Sequence, residues 1–427
     1  MAALALELND AGILAMRSGV ETPVLESPGY AVLDDGNLLT GTPAERVARL
    51  KPRFRHTRFW DALDREPLAK PFPRNLTNAD LVHAHLNGIW SELRPGVREV
   101  VLIVPGFYDD EQLGLLLGVA RACGMPVTAI VDSSVGCPAG SSVYLDVFLH
   151  RAAGTTPGSR EVRADDEVGL TSLRDAWAAL LARSFVRQTR FDPLHRAETE
   201  QQLYEELAEI LETLADQDAT SLTLQASGKE KRIEITRDEM VDCALPRYQR
   251  IAALAGESSS VAVSHRLGAL PGFVGTLSGK VIVVPRGEAA RTVFERWDDL
   301  PQPDDTGTLH LITSFEPKDP VGEPPPSRTV THLLHEGVAY AIDPGPFVIG
   351  TELGAEQRGL ALASTPGVSR NHCHIRRAGG RAILVDSSRY GCHVNGFRVQ
   401  SEATLEPGDR LRLGTSEVEL QLIEVKD

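Results

Sequence analysis

The chain has 427 residues, 42% of them hydrophobic and 24% charged, and carries a net charge of −15. That length and composition suit two or three globular domains, and the acidic balance disfavours a nucleic-acid partner. No apolar run reaches the length of a membrane span.

The five cysteines, Cys123, Cys137, Cys243, Cys373 and Cys392, lack CxxC spacing. Their odd number, with no secretory leader, leads us to expect reduced thiols in a cytoplasmic protein.

Residues 1–317 alternate strand-like and helix-like segments. ALALEL reads as a strand and ILAMRSG as its hairpin partner, while EVVLIVP reads as a buried strand. DEQLGLLLGVARACG has the period of an amphipathic helix ending at Gly124, and PVTAIVD and SSVYLDVFLH read as further strands. ETEQQLYEELAEILETLA places Leu203, Leu207, Ile210, Leu211 and Leu214 on one helical face. SLTLQAS and KRIEITRDEM follow as a hairpin leading into a helix, and ITSF as a last strand. This order predicts an α/β region with a helical and hairpin insertion.

Several of these segments resemble the ATPase domain of the heat-shock chaperone and actin superfamily, over about residues 1–300. In IVPGFYDDEQLGLLLGVARACGMPVTAIVDSS, Val104, Pro105, Phe107, Tyr108, Asp109, Gln112 and Gly124 follow the superfamily's plan. FDPLHRAETEQQLYEEL and PGYAVLDDGNLLTGTPAERVARLKP are similar to two further segments.

The resemblance implies ATP held between two glycine-rich hairpins, because only glycine lets backbone N–H groups approach phosphates closely. Here the first hairpin corresponds to Glu7, Leu8, Asn9, Asp10, Ala11 and Gly12, and the second to Asp146, Val147, Phe148, Leu149 and His150. The adenosine segment is His265 to Pro271, in which Pro271 survives and both leading glycines are gone. Ser133 and Ser134 stand after Asp132 where the superfamily orients a water with Glu. Bulky Phe148 and Leu149 block a phosphate nest. Glu7, Asn9, Asp10, Asp146 and Pro271 are thus expected to be a vestigial nucleotide site, with ATP and Mg²⁺ as conditional cofactors.

KDPVGEPPPSR, residues 318–328, reads as a linker, since three consecutive prolines favour a semi-rigid extended spacer. Residues 329–427 then break into short alternating runs. His372, His374 and Arg376 interleave with Cys373 and Ile375, and Ala382 to Val385 form an apolar run. Leu411, Leu413, Val418, Leu420 and Leu422 alternate around Gly414–Thr415–Ser416, as in a terminal hairpin. Such runs predict a β-sandwich. A zinc site built from His372, Cys373, His374, Cys392 and His393 is not expected, because adjacent strand residues point to opposite faces.

Residues 370–398 hold six arginines against Asp386 alone, and arginine is a frequent means of recognising phosphate. In order and spacing, YAIDPGPFVIGTE, VSRNHCHI, VDSSRYGCHVNG and LEPGDRLRLG resemble the forkhead-associated (FHA) family. Its members are small β-sandwiches whose loops read a phosphothreonine. The resemblance implies phosphopeptide contacts from Ser369, Arg370, Ser388, Arg389 and Asn395, and structural roles for Gly350, His372, Gly391 and Gly396. Two family positions differ, with Tyr390 and Cys392 where Asn and Thr are usual. The family's Gly-Arg pair appears as Gly350–Thr351; losing that arginine removes about 1.5–3 kcal/mol of charge-assisted hydrogen bonding.

Together these resemblances imply an α/β actin-like or chaperone ATPase-type domain followed by an all-β FHA domain. The expected function is a phosphorylation-dependent interaction or scaffold protein, with a pseudo-ATPase domain that offers a surface to a second protein. The alternative is an active chaperone-like ATPase regulated by phosphopeptide binding.

Overall fold

A computed structural model describes residues 3–226, 228–301, 309–315, 330–335, 337–342, 345–354, 357–362, 365–378, 381–399, 401–414 and 418–425. The chain divides into two compact units, Met1–Glu316 and Pro317–Asp427. The expected linker, 318–328, lies outside the described residues, as do Thr415 and Ser416 of the predicted terminal turn.

The N-terminal unit is mixed α/β and contains two large sheets. In the first, Ala3–Glu7, Ile13–Arg17 and Leu25–Ser27 form an antiparallel meander. Glu99–Val104 adds parallel to Ala3–Glu7, and Val127–Asp132 adds parallel beyond it. Leu311–Ile312, which overlaps the predicted last strand ITSF at Ile312 alone, pairs at the far edge. Parallel neighbours need crossover connections. Helices Asn78–Leu93 and Asp110–Ala122 make them, each started by a capping box, Thr77 with Asp80 and Asp109 with Gln112.

The second sheet repeats this topology. Val143–Val147, Ala152–Thr155 and Val162–Asp165 form the antiparallel meander, and Ser260–Val263 and Lys280–Val283 add in parallel on the other side. Both sheets therefore place their strands in the order third, second, first, fourth, fifth. The predicted strand SSVYLDVFLH ends at Val147, because Phe148 to His150 form the turn into the next strand.

The sheet cores explain the nearly continuous apolar strands. Leu4 and Leu6 face Leu81, Leu86 and Leu116, whereas Ala5 and Met16 face Ala289, Ala290 and Val293 of helix Glu288–Glu295. The second sheet packs Val143, Leu145 and Val147 against Trp177, Leu181 and Phe185 of helix Leu170–Thr189. Helix Ala197–Asp216 buries Leu203, Leu207, Ile210 and Leu214, with Leu211 at the margin. The expected hairpin is Ala219–Ala226 with Lys229–Thr236, and it leads into helix Arg237–Ala253.

The C-terminal unit is an all-β sandwich. One sheet runs Val338–Ala341, His332–His335, Glu419–Ile423, Arg410–Leu413, Cys392–Val394, Phe397–Arg398, and the other Gly359–Ala361, Phe347–Gly350, Cys373–Ala378, Arg381–Asp386, Glu402–Leu405. Phe347, Ile349, Cys373, Ile375 and Leu384 from one sheet meet Leu411, Leu413, Leu420 and Leu422 from the other. His372 departs from the expected alternation. It precedes the strand and is fully buried. No helix among the described residues is long and apolar enough to cross a membrane.

Candidate functional site

At one end of the sandwich, two loops are drawn together by their backbones. Strand Phe347–Gly350 runs into Thr351, whose N–H donates to Ser369 O at 3.1 Å; Glu352 N–H donates to Arg370 O at 3.3 Å. His372 N–H closes the pair on Ile349 O at 2.9 Å. Gly350 is required by this approach, since a Cβ there would lie 2.0 Å from Arg370 O.

Buried His372 ties in the next loop. Its Nδ1 accepts from Ser369 N–H at 3.0 Å and its Nε2 faces Gly391 O at 3.2 Å. An acceptor at Nδ1 places the neutral ring's proton on Nε2, the nitrogen that donates to Gly391. Asp386 folds the loop after its strand by accepting from Ser388 N–H at 2.9 Å and Cys392 N–H at 3.0 Å. Burial pushes the Asp386 carboxyl up, but the hydrogen bonds from Ser388 and Cys392 outweigh it and hold the group below its usual range.

The hydroxyls expected to meet phosphate both act as acceptors within the fold. Ser369 Oγ accepts from Arg389 N–H at 3.3 Å, and Ser388 Oγ from Gly391 N–H at 2.7 Å. Ser369 keeps its own O–H to donate outward, whereas the Ser388 hydroxyl is also hydrogen-bonded to the Asp386 carboxylate. The Arg370 side chain is 86% exposed, and Arg389 is also exposed, its guanidinium 5.9 Å from the Tyr390 ring centroid. These four residues form one loop cluster.

Asn395 stands apart from them in its bonding. With Gly396 it makes the turn between Cys392–Val394 and Phe397–Arg398, both residues at positive φ of 52° and 84°. Its Oδ1 accepts from Arg410 N–H at 2.9 Å and its Nδ2 donates to Asp409 Oδ1 at 2.8 Å. One amide hydrogen is left over.

His372, Asp386 and Cys392 bring potential metal-binding atoms within 4.8 Å of one another. His372 and Cys392 belong to the set considered in sequence, and Asp386 joins them through the folding of its loop. The hydrogen bonds above already engage both ring nitrogens of His372 and both oxygens of Asp386, so the cluster serves the loops.

A second constellation lies inside the N-terminal unit, where the turns Glu7 to Gly12 and Asp146 to His150 approach each other. Asn9 Nδ2 donates to Asp146 Oδ2 at 2.9 Å and to Val147 O at 3.1 Å. Asp10 Oδ1 accepts from Leu149 N–H at 2.8 Å. Arg266, in the short helix His265–Gly268, donates to Glu7 Oε1 at 2.9 Å and Gly12 O at 2.7 Å, and lies 3.9 Å from Asp146. The side chains of Arg266, Glu7 and Asp146 are 7%, 9% and 5% exposed. Burial pushes the Arg266 pKa down, yet Glu7 and Asp146 outweigh it and hold it above the ordinary range. Burial raises Asp146. It also raises Asp10, to about 7, and Asp61 adds to the effect.

These are the residues expected to be a vestigial nucleotide site, and the fold brings Glu7, Asn9, Asp10 and Asp146 to one place. Pro271 sits nearby in sequence but serves as an acceptor for Tyr248 OH at 3.1 Å. Asp132 is turned to its own loop, accepting from Ser134 N–H at 2.8 Å. The donor set does not fit Mg²⁺, because the Arg266 guanidinium already stands against Glu7 and Asp146. A cavity of about 800 Å³ adjoins the network, lined by Tyr30, Arg49, Arg174, Trp177, Tyr204 and Arg266. Two of its other arginines are paired as well, Arg49 with Asp175 and Glu200 at 3.0 and 3.3 Å, and Arg174 with Glu45 at 3.3 Å.

Sequence reasoning missed Arg266 as an ionic partner and Glu352 as a charge beside the loop cluster. Arg266 and Glu7 are 259 residues apart, so no local pattern links them. Glu352 is announced only by its adjacency to Thr351.

Residues 347–414 match the model of the FHA domain family. The C-terminal unit thus carries an FHA domain, the class of module that binds phosphothreonine-containing proteins, which supports a role in protein interaction. No curated protein matches the chain.

Proposed function

We propose that this is a phosphorylation-dependent interaction protein of the cytoplasm, whose FHA domain docks a phosphothreonine segment of a partner through Ser369, Arg370, Ser388 and Arg389. Asn395 contributes its remaining amide hydrogen to the peptide. The observation that carries the reading is the loop cluster itself, the Ser369 hydroxyl and two exposed guanidinium groups at one end of a sandwich that matches the family. A phosphothreonine brings roughly −1.5 to −2 charge and three acceptor oxygens to those donors.

The N-terminal unit, in the same proposal, is a pseudo-ATPase of the actin and chaperone type that presents a second protein surface. Its support is the topology repeated in the two sheets and the place where they meet. The phosphate hairpins of an active relative would stand there, and this chain fills the space with Arg266, Glu7, Asn9 and Asp146.

Calorimetry on the full chain with matched phosphothreonine, phosphoserine and unmodified peptides tests the first part. Binding to the phosphothreonine form, lost in Ser369→Ala with Arg370→Ala, is expected; binding indifferent to phosphate overturns it. Mg²⁺-ATP titrated into the same protein tests the second. The expected result is no shift in unfolding temperature, and turnover on the order of 1 s⁻¹ overturns it.

A further inference from the structure

The phosphate-facing loops contain a carboxylate that a phosphate-binding site does not ordinarily want. Glu352 follows Thr351, and the hydrogen bonds Thr351 N–H to Ser369 O and Glu352 N–H to Arg370 O fix its backbone beside Arg370. Its Oε2 lies 3.9 Å from Arg370 Nε, and its side chain is 73% exposed. Asp386, the acid on the neighbouring loop, is spent on two backbone amides. Glu352 is therefore the acidic group in this cluster, among the described residues, that still faces solvent.

We propose that Glu352 sets the specificity of the FHA site, selecting phosphothreonine peptides that carry a lysine or arginine beside the phosphothreonine. The proposal rests on the phosphopeptide reading above. A phosphate seated on Arg370 comes close to Glu352 and is repelled by it. A cation on the peptide relieves that repulsion by pairing with the Glu352 carboxylate, which the phosphate has freed from Arg370. Acidic flanks meet two like charges instead. The same argument explains why Thr351 in place of arginine matters beyond one lost hydrogen bond. With Thr351 uncharged, Glu352 has no basic neighbour in sequence, so a cation on the ligand supplies the balancing charge. Rim charges of this kind act on specificity and salt dependence more than on total affinity.

The test uses the full chain and synthetic phosphothreonine peptides with Lys, Ala or Glu at each flanking position, by fluorescence polarisation at low and high salt. Lysine-flanked peptides are expected to bind about two- to fivefold more tightly than alanine-flanked ones, the range of an exposed ion pair, and the advantage shrinks as salt screens it. In Glu352→Gln, alanine-flanked peptides tighten and the lysine advantage disappears. Phosphate-dependent binding that is blind to flanking charge, or a lysine preference that survives Glu352→Gln, overturns the proposal and leaves the phosphopeptide reading standing. Binding of no peptide in a phosphate-dependent way overturns the reading on which it rests.

Discussion

At Asp10 the interior of the N-terminal unit holds a carboxylate with one oxygen on Leu149 N–H and the other, among the described residues, with no hydrogen-bond partner. Burial raises its pKa from the ordinary 3.8 to about 7. Below pH 4 the group is protonated folded or unfolded, and there is no cost. Between pH 4 and 7 the unfolded chain releases the proton first, so stability falls as pH rises, and above 7 the loss is complete. At about 1.4 kcal/mol per unit the loss reaches at most roughly 4 kcal/mol. Asn at this position keeps an acceptor for Leu149 and carries no charge. Asp10→Asn is expected to stabilise the unit by roughly 2–4 kcal/mol at pH 8 and by almost nothing at pH 4. Urea unfolding at the two pH values measures this, and equal gains at both would remove burial of the charge as the cause. The same residue shows how far sequence reading reaches. The carboxylates of the turn Glu7 to Gly12 were legible, but the arginine that meets Glu7 was not, because Arg266 comes from the short helix His265–Gly268, 259 residues along the chain.

The elements that shape the FHA site are two loops, and their separation is set by Gly350. An added Cβ would meet Arg370 O at 2.0 Å, and that atom is backbone, so the loops themselves must move. Gly350→Ala is therefore expected to cost about 1–3 kcal/mol, as overpacking does. It should weaken phosphopeptide binding at least as much as Ser369→Ala, because it shifts Ser369 and Arg370 together. Thermal unfolding and calorimetry on one sample report both effects; a variant that binds normally would show that the loops adapt. These elements were readable because short alternating runs and turn glycines are local signals. Asn395 shows the limit of such signals. Its place in the family pattern was legible, while the bonds to Asp409 and Arg410 that occupy most of its amide arise only when strand Arg410–Leu413 lies alongside.

For the whole molecule, the two compact units Met1–Glu316 and Pro317–Asp427 each bury a core of their own, and we expect them to unfold independently. Trp60, Trp90, Trp177 and Trp297 all belong to the first unit, so tryptophan fluorescence follows that unit alone while far-ultraviolet circular dichroism follows both. Guanidinium titration should give a fluorescence midpoint that is unchanged when residues 329–427 are removed, and a separate dichroism step for the second unit. A single coincident transition, or a midpoint that moves on truncation, would mean the units share stabilising contacts.

The sequence by itself determined the elements, the mixed α/β and all-β character of the two regions, and the FHA pattern, since each depends on residues close together in the chain. Period, capping and turn preferences are properties of a few neighbouring residues and act before any tertiary contact forms. Tertiary structure alone decided what each site contains. It placed Arg266 between Glu7 and Asp146, set Glu352 beside Arg370, and gave His372 both of its partners. Burial and pairing of charge depend on which distant segments meet, and Coulomb and desolvation energies are defined only once those distances exist.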